Sequence, residues 1–292
     1  MKTKIGTNTY LITNLYKKVV RKNKKHFEYG YLCLIPQNKV LKTLTGSNVK
    51  HPKILKTRFK TFEVEYLEGR ELSGLNVDKK ILLNIICNNI FELNKVDCTK
   101  IAKYCPWNNN TSFLNYSVTN FLQVIRDSKY TDKLKMLGVN FESILALKNI
   151  VLDNQRNMSL INGAIYKKNI IERNGEYLLV DWSMALYADI AYELAIHFVE
   201  EKYADDEMNT VIDRISRAIN INPANLKRDT NIYIGFEITR KASLGLIEAM
   251  KLREKKLDFE SKVREIYIWY SKLSNPKSID ALKNAINDLY IK

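Results

Sequence analysis

The chain has 292 residues, 46% of them hydrophobic, with 47 Lys+Arg against 32 Asp+Glu and only 10 Gly and 5 Pro. That composition excludes a collagen-like or disordered chain and provides for one large or two modest domains. The formal charge of +15 is unevenly spread: residues 1–60 hold 15 basic residues and one acid, Glu28, while the remainder is close to neutral. Two regions with such different electrostatics read as two lobes.

In chain order, short β-type runs come first, at Thr9–Ile12, Lys18–Arg21 and Thr61–Leu67. Phe27–Leu34, ahead of Pro36, reads as one helix stopped by the proline. From Asn76 the spacing becomes helical, with Ile81, Leu82, Ile85, Ile86, Ile90 and Leu93 on one face. Further amphipathic helices are expected over 113–126, 141–155, 190–201, 206–219, 228–252 and 259–273. One β island interrupts them: Asn169–Glu172 and Glu176–Asp181 flank Arg173-Asn174-Gly175, and Asn-Gly between alternating apolar runs is a strong hairpin signal. The expectation is an α+β chain with a small β-rich N-terminal lobe over 1–70 and a mainly helical lobe over 71–292, carrying an inserted β-hairpin.

Cys33, Cys87, Cys98 and Cys105 form no C-x-x-C pair, the N-terminus has no apolar leader, and no apolar run approaches ~20 residues. Free buried thiols, a cytoplasmic location and no membrane partner are expected. His26, His51 and His197 show no ligand-like spacing. Trp107, Trp182, Trp269 and Tyr270 read as core, with room for one or two of the helical lobe's aromatics to wall a pocket.

The segment Asn162-Gly163-Ala164-Ile165-Tyr166-Lys167-Lys168-Asn169, followed twelve residues later by Asp181 and then by Asp189 and Glu193, resembles the aminoglycoside phosphotransferase and choline kinase family. In that family an H-G-D-x-x-x-x-N loop precedes a metal-binding Asp at a strand end. The resemblance implies a bilobal protein-kinase-like fold and transfer of phosphate from ATP or GTP to a hydroxyl of a small molecule, an antibiotic or an amino-alcohol for instance. It implies Mg²⁺ on Asn169 and Asp181, and Asp189 and Glu193 as braces of the loop. Extended to the first lobe, it makes Gly6–Tyr10 a nucleotide-covering loop and Glu65–Leu67 a hinge that holds the adenine by its backbone. Arg21 becomes the phosphate-binding cation, with Lys22 its rival should the strand register differ by one, and Glu28 becomes its ion-pair partner.

Two positions depart from the family pattern. Asn162 stands where the loop His is usual, and Asn too can orient the loop by hydrogen bonds. Ala164 stands where the catalytic Asp is usual, and a methyl group can neither accept nor orient a proton. Positioned general-base catalysis is worth roughly 10² to 10⁴ in rate, so the chain as written is expected to be a very poor kinase, whether the alanine is natural or engineered. Metal and nucleotide binding should survive. A non-catalytic nucleotide-binding protein is the alternative. Nucleic-acid binding through the basic first lobe ranks lower, because no aromatic-interleaved RNA motif accompanies the lysines.

Overall fold

A computed structural model describes residues 2–6, 9–14, 17–23, 35–273 and 278–290. The helix read over 27–34, with Glu28, lies outside them, as do Thr7 and Asn8 of the covering loop, Cys33 and His26.

Five antiparallel strands build the first sheet: β1 Lys2–Gly6, β2 Thr9–Asn14, β3 Lys17–Asn23, β4 Ile54–Thr57 and β5 Thr61–Glu65, in the spatial order β1-β2-β3-β5-β4. Val19, Phe62 and Val64 are buried, as β-branched and aromatic residues in a half-covered sheet should be. Helix α1, Gln37–Thr43, follows Pro36 directly. The proline therefore opens a helix, where its missing N–H costs nothing, besides its expected part as a stop signal. Strand β6, Arg70–Glu71, carries the chain out of the first lobe by pairing with a strand of the second. Gly69 is required there, because a Cβ at that position would lie 2.5 Å from the Glu172 carbonyl.

The second lobe is helical. It begins with α2 Lys79–Asn94, α3 Thr99–Ala102, α4 Asn110–Arg126, α5 Thr131–Met136 and α6 Phe141–Ala146. Asp78 caps α2, and Asn109 caps α4 in a reciprocal box with Ser112. Leu82, Ile85, Ile86, Ile90 and Leu93 of α2 are buried as the spacing requires, whereas Ile81 faces solvent. The helix expected over 141–155 stops at Ala146 and continues only as a short 3₁₀ turn over 147–149.

Strand β7, Ser159–Ile161, then leads into the loop of interest. The hairpin follows as β8 Ile170–Arg173 and β9 Glu176–Leu179, turned through Asn174 (φ 53°) and Gly175 (φ 79°), and β10 Leu186–Ala188 returns to pair with β7. Both turn residues have positive φ, the type I′ geometry that Asn-Gly favours. The remaining helices are α7 Ile190–Glu201, α8 Asp205–Ile219, α9 Pro223–Glu254, α10 Glu260–Tyr270 and α11 Ile279–Asp288. Residues 190–199 of α7 are all buried, which makes it the central helix of the lobe, packed chiefly on α9. Gly245 lets α10 close on α9, since a Cβ there would meet Ile266. Among the described residues no helix is long and apolar enough to cross a membrane.

Candidate active site

The loop between β7 and β8 is held from beneath by one face of α7. Asp189, Glu193, His197 and Glu201 recur every fourth residue, so they stack along a single helix face. Glu193 accepts from the Gly163 amide at 2.7 Å and the Ile165 amide at 3.3 Å, fully enclosed. His197 bonds the Ile165 carbonyl through Nδ1 and the Tyr203 hydroxyl through Nε2, and Glu201 accepts from the Lys167 amide. Asp189 caps α7 and takes a two-pronged bond from the buried Arg156, which also reaches Asp229 on α9 at 2.9 Å. His197, read from sequence as ordinary, is thus part of the support under the loop; its fourfold spacing with Glu193 was the available signal.

Burial pushes the Glu193 carboxyl up to about 7 against the amides that favour its charged form, and it pulls the His197 imidazole down to about 4. Burial likewise raises the Asp189 carboxyl, with Arg156 opposing. Gly163 adopts φ +71°, and a Cβ on it would lie 2.5 Å from the Met184 carbonyl, so this position admits glycine alone.

Above this support Asn169 and Asp181, the predicted metal pair, line one cavity. Asn162 Nδ2 donates to the Asp181 carbonyl at 2.8 Å and Asn169 Nδ2 to the Ala164 carbonyl at 3.1 Å. The Asn169 amide nitrogen being committed, Oδ1 is the atom left for a ligand. The Asp181 carboxylate follows β9, accepts from the Ser183 amide, and is about half exposed toward the space between the lobes. Among the described residues no group of three or more His, Cys, Asp or Glu could hold a metal by itself. Two hard oxygen donors suit Mg²⁺, which keeps waters and takes phosphate oxygens rather than a full protein cage.

On the first lobe Lys22, and not Arg21, faces this centre. Lys22 Nζ lies 3.8 Å from Asp181 Oδ1 with its side chain 15% exposed, and burial pulls its ammonium below the ordinary value against the nearby carboxylate. Arg21, on the other strand face, is bound to the buried Glu63 at 2.6 Å. With Glu28 outside the described residues, the partner seen for Lys22 besides Asp181 is Gln37 at the start of α1. With its amide oxygen turned toward them, Gln37 accepts from Lys22 Nζ at 3.0 Å and from the Trp182 amide at 3.1 Å. Glu65 ends β5, and it is tied to Lys53 twice, its carboxylate accepting from the Lys53 amide and its amide donating to the Lys53 carbonyl.

Beyond Ala164 an open cavity of about 560 Å³ runs between the loop and the α9–α10 pair. Its wall includes Glu200, Glu237, Lys241 and Trp269. These charges are mutually satisfied: Lys241 pairs with Glu200 and Glu237 and lies 5.6 Å from the Trp269 ring centre, while Lys262 pairs with Glu248 and Glu265. Helical periodicity alone showed no chemistry in this region. Of the aromatics read as core, Trp107, Trp182 and Tyr270 are buried, and Trp269 walls this cavity.

No protein-family model matches the chain, and no curated protein is similar to it in sequence. Solved structures are similar over most of its length. A protein of Ralstonia eutropha provisionally named an aminoglycoside phosphotransferase superposes with a TM-score of 0.67 at 12% identity, covering 92% of this chain and 89% of that one. An ethanolamine kinase of Plasmodium vivax gives 0.62 at 14%, covering 81% and 72%. The choline kinase LicA of Streptococcus pneumoniae gives 0.57 at 16%, covering 92% and 91%. The fold is that of small-molecule kinases. It is the α+β, protein-kinase-like architecture that the family resemblance implies. Other structures with this kinase fold hold AMP, ADP with hygromycin B, or GDP with kanamycin.

Proposed function

We propose that the chain is a nucleotide-binding phosphotransferase of the small-molecule kinase type whose transfer step is crippled by Ala164. The observation that carries this reading is that Asn169 and Asp181 line one cavity, with Lys22 of the first lobe 3.8 Å from the Asp181 carboxylate, above a loop that α7 holds in place. ATP or GTP would lie against the backbone of 65–67 with its phosphates toward Lys22. Asn169 Oδ1 and the Asp181 carboxylate would hold Mg²⁺, which when bound screens the phosphate charge during transfer. A hydroxyl of a small molecule would enter from the cavity lined by Glu200, Lys241 and Trp269. Ala164 borders that cavity, so a carboxylate at this position would face the incoming hydroxyl.

The test is Ala164→Asp. With Mg·ATP or Mg·GTP and a panel of amino-alcohols, sugars and aminoglycosides, the variant should consume nucleotide roughly 10² to 10⁴ faster than the parent, the span of positioned base catalysis. Unaltered Ala164 protein should still show a nucleotide-dependent rise in thermal midpoint. Nucleotide binding without rescue by Asp would favour the second reading, a non-catalytic nucleotide-binding protein; absence of both would overturn the assignment.

A further inference from the structure

The β4–β5 hairpin stands apart from the rest of the surface. From 50 to 60 the sequence runs Lys-His-Pro-Lys-Ile-Leu-Lys-Thr-Arg-Phe-Lys, five cations and no acid. β4 is the edge strand of its sheet, and a bulge between Ile54 and Lys56 interrupts its pairing with β5. Leu55 at that bulge is 52% exposed, and Phe59, in the tight turn closed by the Arg58 amide on the Thr61 carbonyl, is 90% exposed. Lys53, Lys56, Arg58 and Lys60 surround them, all exposed. Arg58 approaches Glu63 at 3.5 Å, while Lys53, Lys56 and Lys60 have no carboxylate within ion-pair distance among the described residues. Beside the hairpin, sharing Lys53 and Ile54 with it, opens a groove of about 1060 Å³ whose other cations are Lys42, Lys50 and Arg173. Its two acids are already occupied, Glu176 by Lys50 and Glu65 by the Lys53 amide.

We propose that this hairpin docks the protein on an anionic lipid surface, with Phe59 and Leu55 entering the headgroup boundary and Lys53, Lys56, Arg58 and Lys60 meeting lipid phosphates. A cationic face alone would suit any polyanion, and the apolar pair decides among them. A single strand of nucleic acid is held by stacking, which takes successive aromatic rings; one phenylalanine beside an aliphatic leucine offers a bilayer more than it offers bases. An acidic protein would have to supply a recess shaped to these two outward side chains, whereas the headgroup boundary of a bilayer receives them without one. The expectation of no membrane partner rested on the lack of a spanning segment, which surface adsorption does not require.

Co-sedimentation with phosphatidylcholine vesicles, with and without phosphatidylglycerol, tests this. The full chain should sediment with the anionic vesicles alone, and less so as salt rises. The triple variant Lys56→Glu, Arg58→Glu, Lys60→Glu should lose at least a hundredfold in affinity, at about fivefold per cation. Lys227→Glu, Lys251→Glu, Lys255→Glu on exposed positions of α9 and its C-terminal end changes the net charge equally and should lose far less. Phe59→Ser, which leaves the charge alone and touches no core, should lose about tenfold at an unchanged thermal midpoint. Equal losses in the two triple variants, or full vesicle affinity in Phe59→Ser, would overturn the proposal. Tighter, Phe59-dependent binding to single-stranded RNA would replace the lipid by nucleic acid.

Discussion

Lys22 and Arg21 are neighbours on one strand, and the alternation of a pleated strand sends them to opposite faces. Two adjacent cations leave the sequence with a one-residue ambiguity, and a one-residue change of register exchanges every side chain between faces. What settles it is Glu63, a carboxylate only 1% exposed that lies opposite Arg21 in the ladder and claims its guanidinium. The two substitutions therefore separate cleanly. Lys22→Met should weaken nucleotide binding about tenfold or more with little change in stability, because it removes a cation from the cleft. Arg21→Met should leave binding nearly intact and cost about 1–3 kcal/mol of stability, because Glu63 loses its main charged partner inside the sheet. Isothermal titration with Mg·ATP and urea unfolding measure the two effects; a reversed pattern would put Arg21 back in the site. At Asn162 and Asn169 the sequence leaves no such ambiguity, and their side-chain amides donate to the Asp181 and Ala164 carbonyls, tying the loop to the hairpin's end and to itself.

At the scale of elements, α7 was legible from end to end and the 141–155 helix was not. The residues of α7 are buried on every side as far as Val199, and Glu193, His197 and Glu201 follow the Asp189 cap at fourfold spacing. Residues 141–155 keep helical periodicity, yet the chain leaves the helix because Asn110 donates to the carbonyls of both Asp153 and Arg156, and Asp229 accepts from the Asp153 amide. Distant side chains thus claim the backbone groups that a helix would have used. The α7 face also carries a pH signature. The Glu193 carboxyl is raised from 4.5 to about 7, so between those values the folded chain holds the extra proton and stability falls as pH rises. The His197 imidazole is lowered from 6.5 to about 4, so between those values the unfolded chain holds the extra proton and stability rises with pH. From 4.5 to 6.5 the two slopes oppose each other. Glu193→Gln should remove one of them. Relative to the parent, the variant should gain on the order of 2–3 kcal/mol between pH 4.5 and 7, since one proton contributes roughly 1.4 kcal/mol for every pH unit crossed. It starts lower because an amide cannot accept from both loop N–H groups. Denaturant melts across that range check the slope, and parallel curves would contradict it.

For the molecule as a whole, the uneven charge announced two lobes, and the Asn-Gly hairpin announced a β island in the second. Strand β4 and helix α1 went unread. Lys53-Ile54-Leu55-Lys56 is too short and too charged to stand out as a strand, and Pro36 drew attention to the helix before it rather than the one after it. Both unread elements bear on how the lobes meet. The Lys50 carbonyl, just before β4, accepts from the Leu179 amide of β9 at 3.0 Å, and His51 meets the Trp182 ring edge-on with centroids 6.4 Å apart. Besides the covalent passage at 65–70, the lobes are joined by this backbone bond just ahead of Asp181 and by side-chain ties: Asn48 to Glu92 at 3.0 Å, Lys50 to Glu176, and Lys22 to Asp181. The Leu179 bond is main chain on both sides, whereas the ties are side-chain pairs that water can replace. A cleft that opens while keeping that bond would therefore give up side-chain ties first, and the separation of Lys22 from Asp181 would report the opening. In hydrogen exchange the Leu179 amide should stay as protected as the core of α7 with nucleotide absent or present. Fast exchange there in the empty protein would show that the main-chain tie lets go as well.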